Sequence, residues 1–193
     1  MVSVFSLAEA RTLRRICVAF GWSFLCCVIA QEAHADDNEL EYKVKAAYLY
    51  NFTKFITWPA KASPTFNICI IGNDPFGHLL DPLESKTAQD KPIKLIHFDS
   101  AKQARDCDIA YFDNPDLRPE QPVAGVLTVG SFKTALTVSS QPFFAESGGM
   151  IGFVLDDTKV KLHINLKALK KNGLNVSAKL IEVATLVEGG ELE

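Results

Sequence analysis

Apolar positions along the chain change rhythm several times, and each change marks an element. Residues 39 to about 57 carry Val44, Ala47, Tyr48, Asn51, Phe52, Phe55 and Ile56 at helical spacing, which predicts a helix. Trp58-Pro59 ends it, because the residue before a proline avoids the α region. Thr65 to Ile71 then reads as a buried strand, Ile93 to Phe98 as a second, and Asp108 to Phe112 as a third. Between the first two, Pro75 opens a short helix over Phe76 to Leu83. Ser100 to Arg105 makes a helical turn or two, and the prolines of Asn114 to Pro122 make a loop.

Val126 to Val129 is short and apolar, so it reads as another buried strand, and Ser139 to Gly149 as a polar and aromatic loop. Met150 to Leu155 and Lys159 to Ile164 flank Asp156-Asp157-Thr158, a hairpin pattern in which Val160, Leu162 and Ile164 alternate with Lys159, Lys161 and His163. Asn165 begins a helix to about Lys171, which Gly173 stops. Ser177 caps a final helix carrying Leu180, Ile181, Ala184, Leu186 and Val187, and Glu188 to Glu193 is a frayed tail. Strands alternating with helices predict an α/β fold: a single domain, with a mixed, mostly parallel sheet, flanking helices and an antiparallel hairpin in the C-terminal half.

The first 35 residues depart from this pattern. Arg11, Arg14 and Arg15 precede an apolar run from Ile16 to Ala30, and Ala33-His34-Ala35 forms an A-x-A cleavage site. Residues 1–35 therefore read as a signal peptide cleaved after Ala35, leaving one exported domain over 36–193. The run is shorter than the roughly 20 residues of a spanning helix, and an uncleaved anchor is the alternative. Three of the 20 Lys and Arg and two of the 23 Asp and Glu lie in the leader, so the remaining chain has a net charge of −4. That balance argues against nucleic acid as a partner.

Export changes the meaning of the cysteines. Of five, Cys17, Cys26 and Cys27 fall in the leader, leaving Cys69 and Cys107 as an even pair in an oxidising compartment. A disulfide follows, with two buried free thiols as the alternative. His78, His97 and His163 are scattered singly, without metal-ligand spacing.

The loop Gly72-Asn73-Asp74-Pro75-Phe76-Gly77 follows a strand, the setting of a phosphate cradle. It lacks both G-x-G-x-x-G and G-K-[ST]; Asp74 places negative charge where phosphate would sit, and Pro75 removes an amide. Asp74 reads instead as a turn or cap residue. G-x-S-x-G and H-E-x-x-H are also missing, so no catalytic residue, cofactor or metal is expected and the chain does not read as an enzyme.

Six stretches occur in order: "VKAAYLYNFTKFITWP" (44–59), "ICIIGNDPFG" (68–77), Cys107 before "DIAYF", "VLTVG" (126–130), "GGMIGFVL" (148–155) and "KLHINLKALKKNGLNVSAKLI" (161–181). Together they resemble the YfiR-like family of small periplasmic proteins. The resemblance implies a non-catalytic regulator that binds the periplasmic sensory domain of an inner-membrane diguanylate cyclase and holds it inactive, lowering cyclic di-GMP and biofilm formation. It implies a second partner, an OmpA-like outer-membrane lipoprotein that sequesters the repressor. The family's paired cysteines fall on Cys69 and Cys107; no cysteines remain for the second pair that some members have. A homodimer stays open.

Two surfaces are candidates for such a partner. One is the basic strip Lys159, Lys161, His163, Lys167, Lys170 and Lys171, whose strand members share one face; the alternative is an ordinary solvated face. The other is Phe143-Phe144 in its Pro- and Gly-flanked loop, where one ring could instead cap the core. Tyr50 lies off the main helical stripe and is expected to be exposed. Two other functions remain open: a periplasmic small-ligand-binding sensor module and an exported enzyme of unrecognised type.

Overall fold

The structure, a computed structural model, describes residues 33–113, 127 and 132–189. The chain divides into two units, residues 1–40 and residues 41–193, and the sheet belongs to the second. The predicted loop at Asn114 to Pro122 lies outside the described residues, as do nearly all of the leader, the strand predicted at Val126 to Val129 apart from Leu127, and tail residues 190–193.

A helix, α1 (Ala33–Phe55), leads into β1 (Ile56–Thr57). Then follow β2 (Phe66–Gly72), two single 3-10 turns (Gly77–Leu79 and Asp81–Leu83), β3 (Thr87–Ala88), β4 (Lys91–Phe98), β5 (Ile109–Asp113) and β6 (Leu136–Ser139). The hairpin β7 (Ile151–Asp156) and β8 (Lys159–Ile164) precedes α2 (Leu166–Lys171), β9 (Asn175–Val176), α3 (Ala178–Ile181) and β10 (Ala184–Leu186). Eight strands form one sheet in the order β10-β8-β7-β6-β5-β2-β4-β3, while β1 and β9 pair antiparallel on their own. Within the large sheet only β3–β4 and β7–β8 are antiparallel; the other pairings are parallel. This is the mixed, mostly parallel α/β sheet with a hairpin that the strand and helix pattern predicts.

Both faces of the central strands are buried, which is why they read as unbroken apolar runs rather than alternations. On one face Ile68, Ile70, Ile109, Tyr111, Leu136, Val138, Ile151 and Phe153 meet Leu49, Phe52 and Ile56 from α1 and its exit. The ring of Phe52 stacks on Phe153, 6.1 Å between centroids, and its full burial stabilises the fold by about 2–3 kcal/mol. On the other face Cys69, Ile71, Ala110 and Phe112 pack against Ala101, Ala104, Phe132 and Phe144. Among the described residues that face is covered by connecting segments rather than by a long helix. The Cys69–Cys107 disulfide staples it, tying β2 to the segment entering β5, with 5.8 Å between Cα atoms.

Buried polar groups at the bottom of β2 and β5 are fully paired. Trp58 Nε1 donates to the Asp108 carbonyl (2.9 Å), and the Asp108 carboxylate accepts the Asn67 amide (2.7 Å). Lys61 lies 3.5 Å from the same carboxylate. Trp58 thus ends α1 by packing and by a hydrogen bond, as well as through the proline that follows it.

Several expected elements differ. The helix predicted to about residue 57 stops at Phe55, because Ile56 and Thr57 pair with Val176 and Asn175. The short helix predicted over Phe76 to Leu83 splits into the two 3-10 turns, with Pro82 inside the second. Ser139 belongs to β6, not to the loop, and β6 itself has no counterpart in the expected elements: Leu136–Ser139 is too short for a period to show. The final helix ends at Ile181; Ala184, Leu186 and their neighbours join the sheet beside β8, where pairing with Leu162 to Ile164 outweighs helical spacing. Ser177 sits at the N-cap position, but its hydroxyl makes no capping bond. Asn165 does cap α2, accepting from the Ala168 amide at 2.9 Å, and Gly173 at φ 75° closes it.

Candidate partner-binding surface

The aromatic pair of the 140–149 loop is split by the fold. Phe144 is buried beside Phe112, with ring centroids 6.1 Å apart. Phe143 is 73% exposed and sits at φ 57°, the left-handed region that disfavours a bulky side chain. The turn that imposes this is well bonded: Ser147 N donates to the Phe143 carbonyl and Gly149 N to the Phe144 carbonyl, each at 2.9 Å. Gly149 must be glycine, since a Cβ there would overlap the Phe144 ring.

The same loop is fastened to β8 and to the start of α2. His163 Nδ1 lies 2.7 Å from Glu146 Oε1, and Asn165 Nδ2 donates to the Ala145 carbonyl at 3.0 Å. Phe143 and His163 therefore belong to one region of surface, joined through Glu146. Glu146 carries no signal in the sequence, since it has no local motif and stands 17 positions from its partner.

The basic residues do not form one strip. Lys161 and His163 lie on the sheet face opposite Leu162 and Ile164, whereas α2 buries Leu169 among the same core as Leu162 and Ile164. Lys159, Lys161 and His163 thus occupy one side of the sheet, and the helix cations Lys167, Lys170 and Lys171 the other. Lys159 and Lys161 are exposed and His163 half-buried. Lys161 is paired with Asp156 of the same hairpin, and that hydrogen bond and charge lower the Asp156 pKa and raise the Lys161 pKa. Lys170 and Lys171 occupy the last turn of α2, where the helix dipole favours cations. Tyr50 is half-buried rather than exposed.

A second polar cluster lies around the C-terminal ends of β2 and β5. The chain leaves β2 for β4 on one side and returns to β5 on the other, a topological switch point. Asp74 there accepts the amides of Phe76 (2.9 Å) and Gly77 (3.2 Å) and meets His97 Nε2 at 2.9 Å. The backbone donors that an incoming phosphate would need are taken by this carboxylate, and Asp74 is a turn-capping residue. Nearby, the almost fully buried Lys45 pairs with Glu41 and stands over the Tyr42 ring. Burial pushes up the pKa of Asp113, with Lys45 opposing and Asp74 reinforcing the shift. Burial also raises Tyr42 and Tyr111, and the Tyr111 hydroxyl is held by Ser140 at 2.9 Å. Among the described residues no three His, Cys, Asp or Glu side chains are placed to hold a metal ion, and no helix is long and apolar enough to cross a membrane.

The chain pattern of the YfiR/HmsC-like family matches residues 42–185, from the middle of α1 to β10. This chain belongs to the YfiR/HmsC-like family. The match takes in seven strands of the eight-stranded sheet, the start of β10 and the Cys69–Cys107 bridge. Among curated proteins, none matches the chain. Within this YfiR/HmsC-like domain Phe143 is exposed in its bonded turn, and that turn is tied to β8 through the Glu146–His163 contact.

Proposed function

We propose that this YfiR/HmsC-like protein is a periplasmic, non-catalytic regulator, exported by a leader cleaved after Ala35. It binds the periplasmic sensory domain of an inner-membrane diguanylate cyclase and holds the cyclase inactive, lowering cyclic di-GMP and biofilm formation. An OmpA-like outer-membrane lipoprotein would relieve it by competing for the repressor. The family match supports this reading. The observation that carries it to a surface is Phe143, an exposed aromatic ring on a left-handed backbone that costs stability and serves no packing role among the described residues. Strain of that kind is characteristic of binding sites, and rigid aromatic anchors dominate interface energetics.

The mechanism is a population shift. The regulator must bind the inactive form of the sensory domain more tightly than the active form, because equal affinity for both would shift nothing. Phe143 supplies the anchor, and the exposed Lys159 on the same sheet face as His163 favours an acidic partner surface.

The test is titration of the protein, with Cys69–Cys107 intact, into the sensory domain of the organism's candidate cyclases. Binding with Kd of about 1 µM or tighter (about −8 kcal/mol) that falls on Phe143→Ala is the expected result. Failure to bind any such domain would overturn the reading and favour the small-ligand sensor, for which the Asp113–Lys45–Tyr42 cluster at the switch point is the place to look.

A further inference from the structure

We propose that the groove between α1 and the two 3-10 turns is a docking site for an acidic, amphipathic helical segment of a protein partner. It is a different surface from the Phe143 region, and it stands or falls separately from the cyclase reading.

Along α1, Lys43, Ala46, Ala47, Tyr50 and Lys54 recur three and four positions apart, forming a second stripe beside the core stripe of Leu49, Phe52 and Ile56. Lys43, Ala46, Ala47 and Tyr50 of this stripe line a groove of about 250 Å³ together with Leu79 and Leu83 of the 3-10 turns, and Lys54 adjoins it through the Tyr50 ring. The small side chains of Ala46 and Ala47 leave room for a partner's backbone to come close. Leu83 is buried and Leu79 half-buried, so the floor is apolar.

The rim is basic. Lys43 and Lys86 line the groove. The ammonium of Lys54 stands 4.2 Å from the Tyr50 ring centroid and that of Lys86 5.1 Å, so two cations gather on one aromatic ring. Neither Lys54 nor Lys86 is in an ion pair with a carboxylate among the described residues, and no acid lines the groove. A local excess of lysines in a chain of net negative charge is not a reflection of composition.

These features specify the occupant. An apolar floor bracketed by cations fits a segment with apolar residues in the middle and carboxylates at the ends. Lys43 and Lys54 are separated by about 16 Å at 1.5 Å rise per residue, three turns of a partner helix. A long polyanion is disfavoured by the chain's net charge, and a membrane surface does not fill a concave groove.

The probe is a capped helical peptide with Ala and Leu on one face and Glu at two positions roughly eleven residues apart, to span that distance. Its twin carries Lys in place of both Glu. Each is titrated into the ¹⁵N-labelled protein with the disulfide intact. The expected result is saturable shifts at Ala46, Ala47, Tyr50 and Leu83, no binding of the twin, and roughly tenfold or greater weakening in Lys54→Glu/Lys86→Glu. If that variant is misfolded, Lys54→Gln/Lys86→Gln replaces it, with the same direction expected. No saturable shift at the groove, equal affinity for the twin, or full affinity in the variant would overturn the proposal. Stronger shifts of the same residues with phosphatidylglycerol vesicles than with the peptide would also overturn it, making the groove a lipid-contacting face.

Discussion

Gly149 shows how much one atom decides at the residue scale. Its missing Cβ is the space occupied by the Phe144 ring, and Phe144 closes the second face of the sheet. Gly149→Ala should therefore cost about 1–3 kcal/mol through overpacking, read as a lower urea midpoint at unchanged m-value. Phe143 should behave in the opposite way. Phe143→Gly relieves its left-handed backbone and buries nothing less, so stability should hold or rise by about 1 kcal/mol; loss of stability would mean the ring packs after all. Asp113 makes a pH prediction. Burial raises its folded pKa above the unfolded value, so the folded state holds more protons just above the ordinary carboxylate range. Stability contributed by the protonated form is full below that range and falls as pH rises through the folded pKa. Asp113→Asn should remove this slope and stabilise the protein at neutral pH. Urea midpoints at pH 4 to 7 check it, and an unchanged slope would refute it.

At the scale of elements, the two faces of the sheet are protected by different means. One is covered by α1, whose Leu49 and Phe52 are wholly buried. The other rests on connecting segments, and there the Cys69–Cys107 bridge closes a separation of 38 residues. In the chain-entropy description a loop of that length stabilises the folded state by about 4 kcal/mol. Cys69→Ala/Cys107→Ala, or reduction of the native protein, should lower stability by roughly 3–4 kcal/mol, measured by denaturant titration with and without reductant. A loss below about 1 kcal/mol would place the stability of this face in packing alone.

The whole molecule presents two separate surfaces. One carries Phe143 and the His163–Glu146 pair, the other the lysine-rimmed groove of α1. If the first anchors the sensory domain, Phe143→Ala should weaken binding by about 2 kcal/mol or more while leaving the fold intact. Lys161→Glu should matter less than Lys159→Glu, because Lys161 already spends its charge on Asp156. Isothermal titration at two salt concentrations separates the aromatic contribution from the electrostatic one, since only the second is screened.

The strands at Phe66–Gly72 and Ile109–Asp113, the hairpin and the cap at Asn165 are legible in the sequence because each is set by local chemistry: apolar runs, a turn, a side chain that bonds its own backbone. The pairing of Cys69 with Cys107 is legible in the sequence because they are the two cysteines outside the expected leader. The strand Ala184–Leu186 is not, because its conformation is decided by an edge of β8 that lies some twenty residues back and offers unpaired backbone groups. Nor does the sequence distinguish Phe143 from Phe144, or say that the lysines of β8 and of α2 lie on opposite sides. Those are consequences of which sheet face a strand residue points to, and which core a helix buries its leucines in. Local preferences determined the elements; long-range pairing and packing decided which side chains face solvent together.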